Sequence, residues 1–246
     1  MSDDLFDAAA YGRHTADDYD QLYAELDPSD AVETLVDLAE GGPVLELGIG
    51  TGRLALPLLA RGLAVHGIEG SPEMARTLAA KEGGAHIPVV VGNFADAEAG
   101  SDFALVVLAV NTIYALPSQA AQVDCFANAA RHLRTGGRFV VEAWVPDPGA
   151  FRNGTAVRPV QLHDGYVELE VAEIHPAEQT MRTNKVHLGG TAGVRVVPAN
   201  HRYAWPAELD LMARLAGMRL EHRWEGWRRQ PYTDSSRTHV SVWRKS

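Results

Sequence analysis

Residues 44–53 read Val-Leu-Glu-Leu-Gly-Ile-Gly-Thr-Gly-Arg. A short apolar run breaks into three alternate glycines. Leu54, Leu56, Leu58 and Leu59 then follow as a helix that stops before Gly62. Glycines remove side chains from a strand–helix turn, so backbone can approach a ligand closely and helix-end N–H groups can face it.

Outward from this turn the pattern repeats. A second strand, Ala64–Ile68, ends at Glu69-Gly70-Ser71-Pro72, where Ser71 caps a helix and Pro72 occupies its first turn. Strands are expected at Ile87–Val91, Phe103–Val110 and Arg138–Trp144, with a helix from Gln119 to Leu133 and a turn at Gly136–Gly137. Upstream, Asp30 is the expected N-cap of a helix through Val32, Leu35, Val36 and Leu38, which Gly41-Gly42-Pro43 ends. Near-continuous apolar strands alternating with helices imply a doubly wound, mostly parallel α/β sheet of Rossmann-like type, here with seven strands. From about Thr155 to Tyr203 the helical spacing disappears, and Tyr166–Ile174, Thr180–Leu188 and Val194–Tyr203 alternate as strands. This segment is expected to be an antiparallel insertion on the main sheet. Pro206 opens the last helix, and Leu220–Trp227 and Thr238–Arg244 are the expected last strands, a hairpin-like edge pair. The organisation expected is a single domain over 1–246, with an N-terminal helical cap over 1–40 and a β insertion over 155–204 that serves as lid, dimer surface or both.

Composition narrows the function. The chain has 246 residues, a formal net charge of −10 and one cysteine, Cys125. A nucleic-acid partner needs a basic surface to displace counterions, and no Lys/Arg run is present. No stretch approaches the ~18 apolar residues of a membrane span. The acidic start, MSDDLFDAAAYG, lacks the apolar centre of a signal peptide. A lone cysteine fits a reducing compartment and a core position better than a disulfide. The reading is a cytoplasmic protein acting on a small molecule, without nucleic-acid or membrane partners, that could form a homodimer. No His/Asp/Glu cluster shows metal-ligand spacing.

The ligand class follows from the turns. A dinucleotide fingerprint requires Gly-x-Gly-x-x-Gly, and Arg53 stands in its last position. Glu69 lies 21 residues beyond Gly48, where a carboxylate can accept both hydroxyls of a ribose. The spacing Gly48, Gly50, Gly52 with Glu46 resembles motif I of the class I S-adenosylmethionine (SAM)-dependent methyltransferases. Gly92-Asn93-Phe94 resembles that family's adenine-holding motif, with Asn93 where Asp is usual, and Leu133-Arg134-Thr135-Gly136-Gly137 resembles its later Leu-x-Pro-Gly-Gly segment. The Asn/Asp-Pro-Pro-aromatic box of the base and glutamine methylases is missing from Asn111-Thr112-Ile113-Tyr114. Tyr19-Asp20-x-x-Tyr23 resembles the aromatic cap of several antibiotic-pathway and sugar N-methyltransferases.

The resemblance implies a SAM cofactor held by Tyr11, Tyr19, Glu46, Gly48, Gly50, Glu69, Gly70, Asn93, Phe94 and Val110. It implies methyl transfer by in-line displacement to an N or O nucleophile of a small metabolite. Strand topology brings Asn111, Tyr114 and Trp144 to the acceptor crevice, expected beyond strands four and five where the strand order reverses. His201, Glu142 and His163 are the candidate catalytic bases. An NAD-dependent oxidoreductase on the same fold, and a SAM-binding protein that does not methylate, are the alternatives.

Overall fold

The computed structural model describes residues 20, 26–189 and 193–246. Tyr11, Tyr19 and Tyr23 lie outside the described residues.

The structure starts from β1 (Val44–Leu47), four residues that are all buried. It pairs in parallel with β2 (Val65–Glu69) on one side and β4 (Phe103–Leu108) on the other. The main sheet has seven strands in the order β10-β11-β5-β4-β1-β2-β3, with β3 at Val89–Val91, β5 at Leu133–Trp144, β10 at Met218–Trp224 and β11 at Thr238–Lys245. β11 runs antiparallel to both neighbours. The last two strands thus pair as a hairpin, but β11 lies inside the sheet and β10 alone forms the edge. β5 starts at Leu133, and its pairing with β4 slips between Phe103 and Leu105, opposite the turn at Gly136–Gly137.

Side-chain alternation distributes two cores across the sheet. On one face Val44, Leu105, Val107, Val140 and Val242 pack under α1 (Ser29–Ala39) and α2 (Ala55–Ala60). On the other, Leu45, Leu108, Phe139 and Trp243 pack under α4 (Gln119–His132) and α5 (Pro206–Leu215). α3 (Pro72–Ala80) begins as its sequence predicts, with the Ser71 hydroxyl accepting the Met74 N–H and Pro72 in the first turn. In α1, however, Asp27 accepts both the N–H and the hydroxyl of Ser29, while Asp30, expected as the N-cap, is the second residue of the helix and pairs with Arg228. Leu35 of α1 is wholly buried, so this helix is a layer of the core. Cys125 is also fully buried, and burial pushes its thiol up.

β6 (Thr155–His163), β7 (Tyr166–His175), β8 (Thr180–Gly189) and β9 (Val194–Arg202) do not join the main sheet. They form a separate antiparallel sheet in chain order. Its register sorts the side chains: Leu162, Val167, Leu188 and Val194 form one row across the four strands, and Leu169, Val186 and Val196 form the next. Leu162 is 76% and Val194 70% exposed, so this apolar face is open. The opposite face carries Glu168, His187, Thr183 and His201, the first three buried.

A buried polar knot fastens this sheet to the main body. Arg202 donates to Gln122 at 2.6 Å and to Glu208 at 2.7 Å. Gln122 donates to the carbonyls of Ile113 and Arg202, and Gln179 donates to the Tyr203 carbonyl and to Glu208.

Candidate functional site: a cofactor cradle at the switch of strand order

The strand order reverses between β1 and β4, one strand away from the place expected for it. In a doubly wound sheet this is where a ligand crevice opens beyond the carboxyl ends. Glu46, Gly48, Gly50, Arg53, Val110 and Thr112 line the cleft there.

Its glycines act for different reasons. A Cβ at Gly52 would meet the Leu78 side chain at 2.4 Å, and the φ of +88° already disfavours one. Gly50 has φ +56°, and a Cβ there would meet nothing closer than 4.0 Å, so it leaves room beside its backbone. The Gly50 N–H donates to Glu69 Oε2 and the Ser71 N–H to Oε1, both at 2.8 Å. A carboxylate offers about four lone-pair sites, so acceptor capacity remains for a ribose hydroxyl. Burial raises the Glu69 carboxyl above its ordinary range, while backbone N–H groups of Ser71, Gly50 and Gly70 pull it back down.

Glu46 is the sharper observation. It is 5% exposed, and its Oε2 has no hydrogen-bond partner. Burial pushes its carboxyl up to about 8, with Arg53 opposing and Glu69 reinforcing the shift. A buried oxygen without a partner at the lip of a cleft is costly unless a ligand completes it. A cationic donor such as an amino-acid ammonium would hydrogen-bond that oxygen and favour the ionised carboxylate.

The adenine end matches less fully. The Asn93 side-chain carbonyl accepts the Ala95 N–H at 2.9 Å, so one of its two lone pairs closes a local turn. The Phe94 ring is buried in the α4-side core, and only its backbone can reach a base.

A chain of side chains missed in the sequence docks over the glycine turn. Asp20 accepts the Thr51 hydroxyl at 2.6 Å and pairs with Lys81 at 2.5 Å, while Lys81 also donates to the Thr51 carbonyl. Asp20 stood inside the quoted Tyr19–Tyr23 motif, but its partners are remote in sequence.

The acceptor-side residues separate into groups. Tyr114 is fully buried, and its hydroxyl, 2.9 Å from the carbonyls of both Trp144 and Ala204, donates to them. Burial drives its ionisation far above the ordinary phenol range. Its side chain is packed in the α4-side core. His163 sits at the free end of β6, about 25 Å by strand rise from Thr155, where that sheet joins the body. Glu142 has both oxygens engaged, by the Val110 N–H and by the indole N–H of Trp227. Asn111 accepts the Trp144 N–H through its side chain.

Trp144 and His201 do come together. Their rings stand edge to face with centroids 6.4 Å apart, and Tyr203 is 6.1 Å from the indole. His201 Nε2 lies 3.4 Å from the Thr183 hydroxyl, and its Nδ1 is buried without a partner. Burial, helped by the Lys185 charge, lowers the imidazole to about 4.

The family description "Methyltransferase domain" matches residues 44–137, from β1 to the second glycine of the β5 turn. An uncharacterised methyltransferase of Geobacillus thermodenitrificans is 33% identical over 68% of this chain and 79% of its own. The solved CcbJ methyltransferase of Streptomyces caelestis is 40% identical and superposes with a TM-score of 0.83 over 89% of this chain and 90% of its own. The chain is a class I SAM-dependent methyltransferase. The cypemycin N-terminal methyltransferase of a Streptomyces species is similar along the whole methyltransferase, 27% identical over 97% of this chain and 98% of its own. Membership removes the oxidoreductase alternative, which the Arg53 departure already disfavoured. In the methyltransferase, the buried carboxylates of Glu46 and Glu69 stand on the two sides of the Gly48–Gly52 turn. Among the described residues no group of His, Cys, Asp and Glu could hold a metal, and no helix is long and apolar enough to cross a membrane.

Proposed function

We propose that the methyl acceptor is an amine nitrogen of a small metabolite, held between Trp144 and His201 beneath the polar face of the β6–β9 sheet. The observation that carries this reading is His201, a neutral imidazole whose buried Nδ1 has no partner and, in the tautomer protonated at Nε2, accepts a hydrogen bond. When bound, the cofactor supplies a sulfonium-activated methyl group. The protein's part is to aim the nucleophile and exclude water, and good placement alone contributes ~7–11 kcal/mol.

An amine needs only to arrive unprotonated. His201 accepts one of its N–H groups and orients the lone pair, and the half-buried Trp144 face steadies the cationic product by roughly 0.5–2 kcal/mol. A phenol would instead surrender its proton to a base some six pKa units weaker than the phenolate, an uphill step of about 8 kcal/mol. The whole-chain similarity to a relative named for N-terminal methylation supports the same choice.

Competition between amines and phenols of matched size for methyl uptake tests it. The kcat/KM for an amine should rise with pH up to that amine's own pKa, without a break near 6.5. His201→Leu should lower kcat/KM about tenfold and leave S-adenosylhomocysteine affinity unchanged. Preferential methylation of phenols would overturn the reading. We assign the open apolar face of the β6–β9 sheet to a second copy of the chain, and the protein to the cytoplasm; large exposed apolar patches mark interaction surfaces.

A further inference from the structure

At the carboxyl end of β4 the chain adopts a costly conformation. Val110 and Asn111 are consecutive left-handed residues, with φ of 51° and 62°. Left-handed backbone costs an L-residue roughly 1–2 kcal/mol, and a β-branched residue is a genuine outlier there. Strain of this kind persists only where surrounding groups over-determine it.

Glu142, on the adjacent strand β5, supplies that determination. Its Oε2 accepts the Val110 N–H at 2.9 Å, and its backbone carbonyl accepts the Asn111 N–H at 3.0 Å. Its Oε1 accepts the Trp227 indole N–H at 2.7 Å, which fixes the carboxylate from the other side. The turn so held carries Val110 and Thr112 into the cofactor cleft. Thr112 is packed tightly enough on the glycine turn that a Cβ at Gly48 would approach its Cγ2 at 2.9 Å.

We infer that Glu142 is a positioning residue for the cofactor: its carboxylate sets the Val110–Thr112 side of the cleft, and Trp227 sets the carboxylate. The chemistry is specific. Two N–H donors converge on one side chain, and only a group that accepts at both oxygens satisfies them. A glutamine of the same length must turn its own NH₂ toward one of the two donors. Removal of the indole N–H therefore frees the glutamine carbonyl to serve Val110.

This gives a test with opposed signs. Calorimetric titration of S-adenosylhomocysteine, with melting temperature recorded in parallel, is applied to wild type, Glu142→Gln, Trp227→Phe and the double variant. Glu142→Gln should weaken binding about tenfold or more, and Trp227→Phe less than threefold. The double variant should bind within threefold of Trp227→Phe, and thus better than Glu142→Gln alone. A double variant as weak as Glu142→Gln or weaker overturns the inference. So does a Glu142→Gln protein that loses melting temperature but keeps its affinity, since that is a merely structural role. Loss of fold in both glutamine variants equally counts against a local positioning role.

Discussion

The two sheets of this methyltransferase handle polarity in opposite ways. The central strands of the main sheet bury both faces, and two of the polar groups they carry, Glu46 and Glu69, sit at the carboxyl ends of β1 and β2, Glu46 lining the cleft and Glu69 bonded to its Gly50 N–H. The β6–β9 sheet keeps Glu168, His187 and Thr183 on its buried face and leaves Leu162, Val194 and Val196 open. The first arrangement is that of a core with a small charged aperture. The second is a wall with a polar inner side and an open apolar outer side. Damage to one should therefore be readable separately from damage to the other.

The largest expected effect belongs to the cradle. Glu69→Ala removes two candidate hydrogen bonds to a ribose, each about 1.5–3 kcal/mol when charge-assisted. Affinity for S-adenosylhomocysteine should fall at least a hundredfold by calorimetry, and retention of wild-type affinity would remove Glu69 from the site.

Glu46→Gln should have two opposite effects. The folded carboxyl titrates near 8, above the 4.5 of an ordinary glutamic acid. Its stabilising contribution is therefore complete below pH 4.5 and lost as pH rises to about 8. A glutamine escapes that loss, so the ligand-free variant should melt roughly 5–10 °C higher at pH 8.5 while binding the cofactor product about tenfold more weakly. His201 and His239, lowered to about 4 and about 3, act in the other sense. Their contribution is complete above pH 6.5 and lost progressively as pH falls toward those values. Melting curves of the glutamine variant should consequently retain the acid limb and lose the alkaline decline. An unchanged alkaline decline would refute the assignment to Glu46.

The smallest effect on the cradle should come from the outer wall. Leu162→Lys with Val194→Lys should halve the particle mass in light scattering and shift cofactor-product affinity less than twofold. Wild-type particles already of monomer mass would defeat the pairing proposed for that face.

How much of this was legible in sequence depended on how local the cause was. β1, the glycine turn, Ser71-Pro72 and the Pro206 helix are written in residues a few positions apart, and the structure places them where that spacing puts them. Glu46 and Glu69 were legible for the same reason. The failures are long-range. Tyr114 looked like a crevice aromatic until the Ala204 carbonyl, 90 residues away, was seen to take its hydroxyl. Trp227 bears on the cleft only because Glu142 lies 85 residues upstream of it. His163 was a candidate behind His201 because strand alternation says which face a residue takes, not which end of the sheet is attached.

The knot that fastens the β6–β9 sheet relies heavily on backbone. Gln122, Gln179 and Tyr114 grip the carbonyls of Ile113, Arg202, Tyr203, Ala204 and Trp144. A carbonyl is presented by any residue, so apart from the Arg202 side chain these attachments make few demands on the side chains the four strands carry. Such a joint works as a socket: successive versions of the wall can be exchanged through it by mutation while the methyl-donor cradle stays fixed, which is how one catalytic frame can be retuned for new acceptors without being rebuilt.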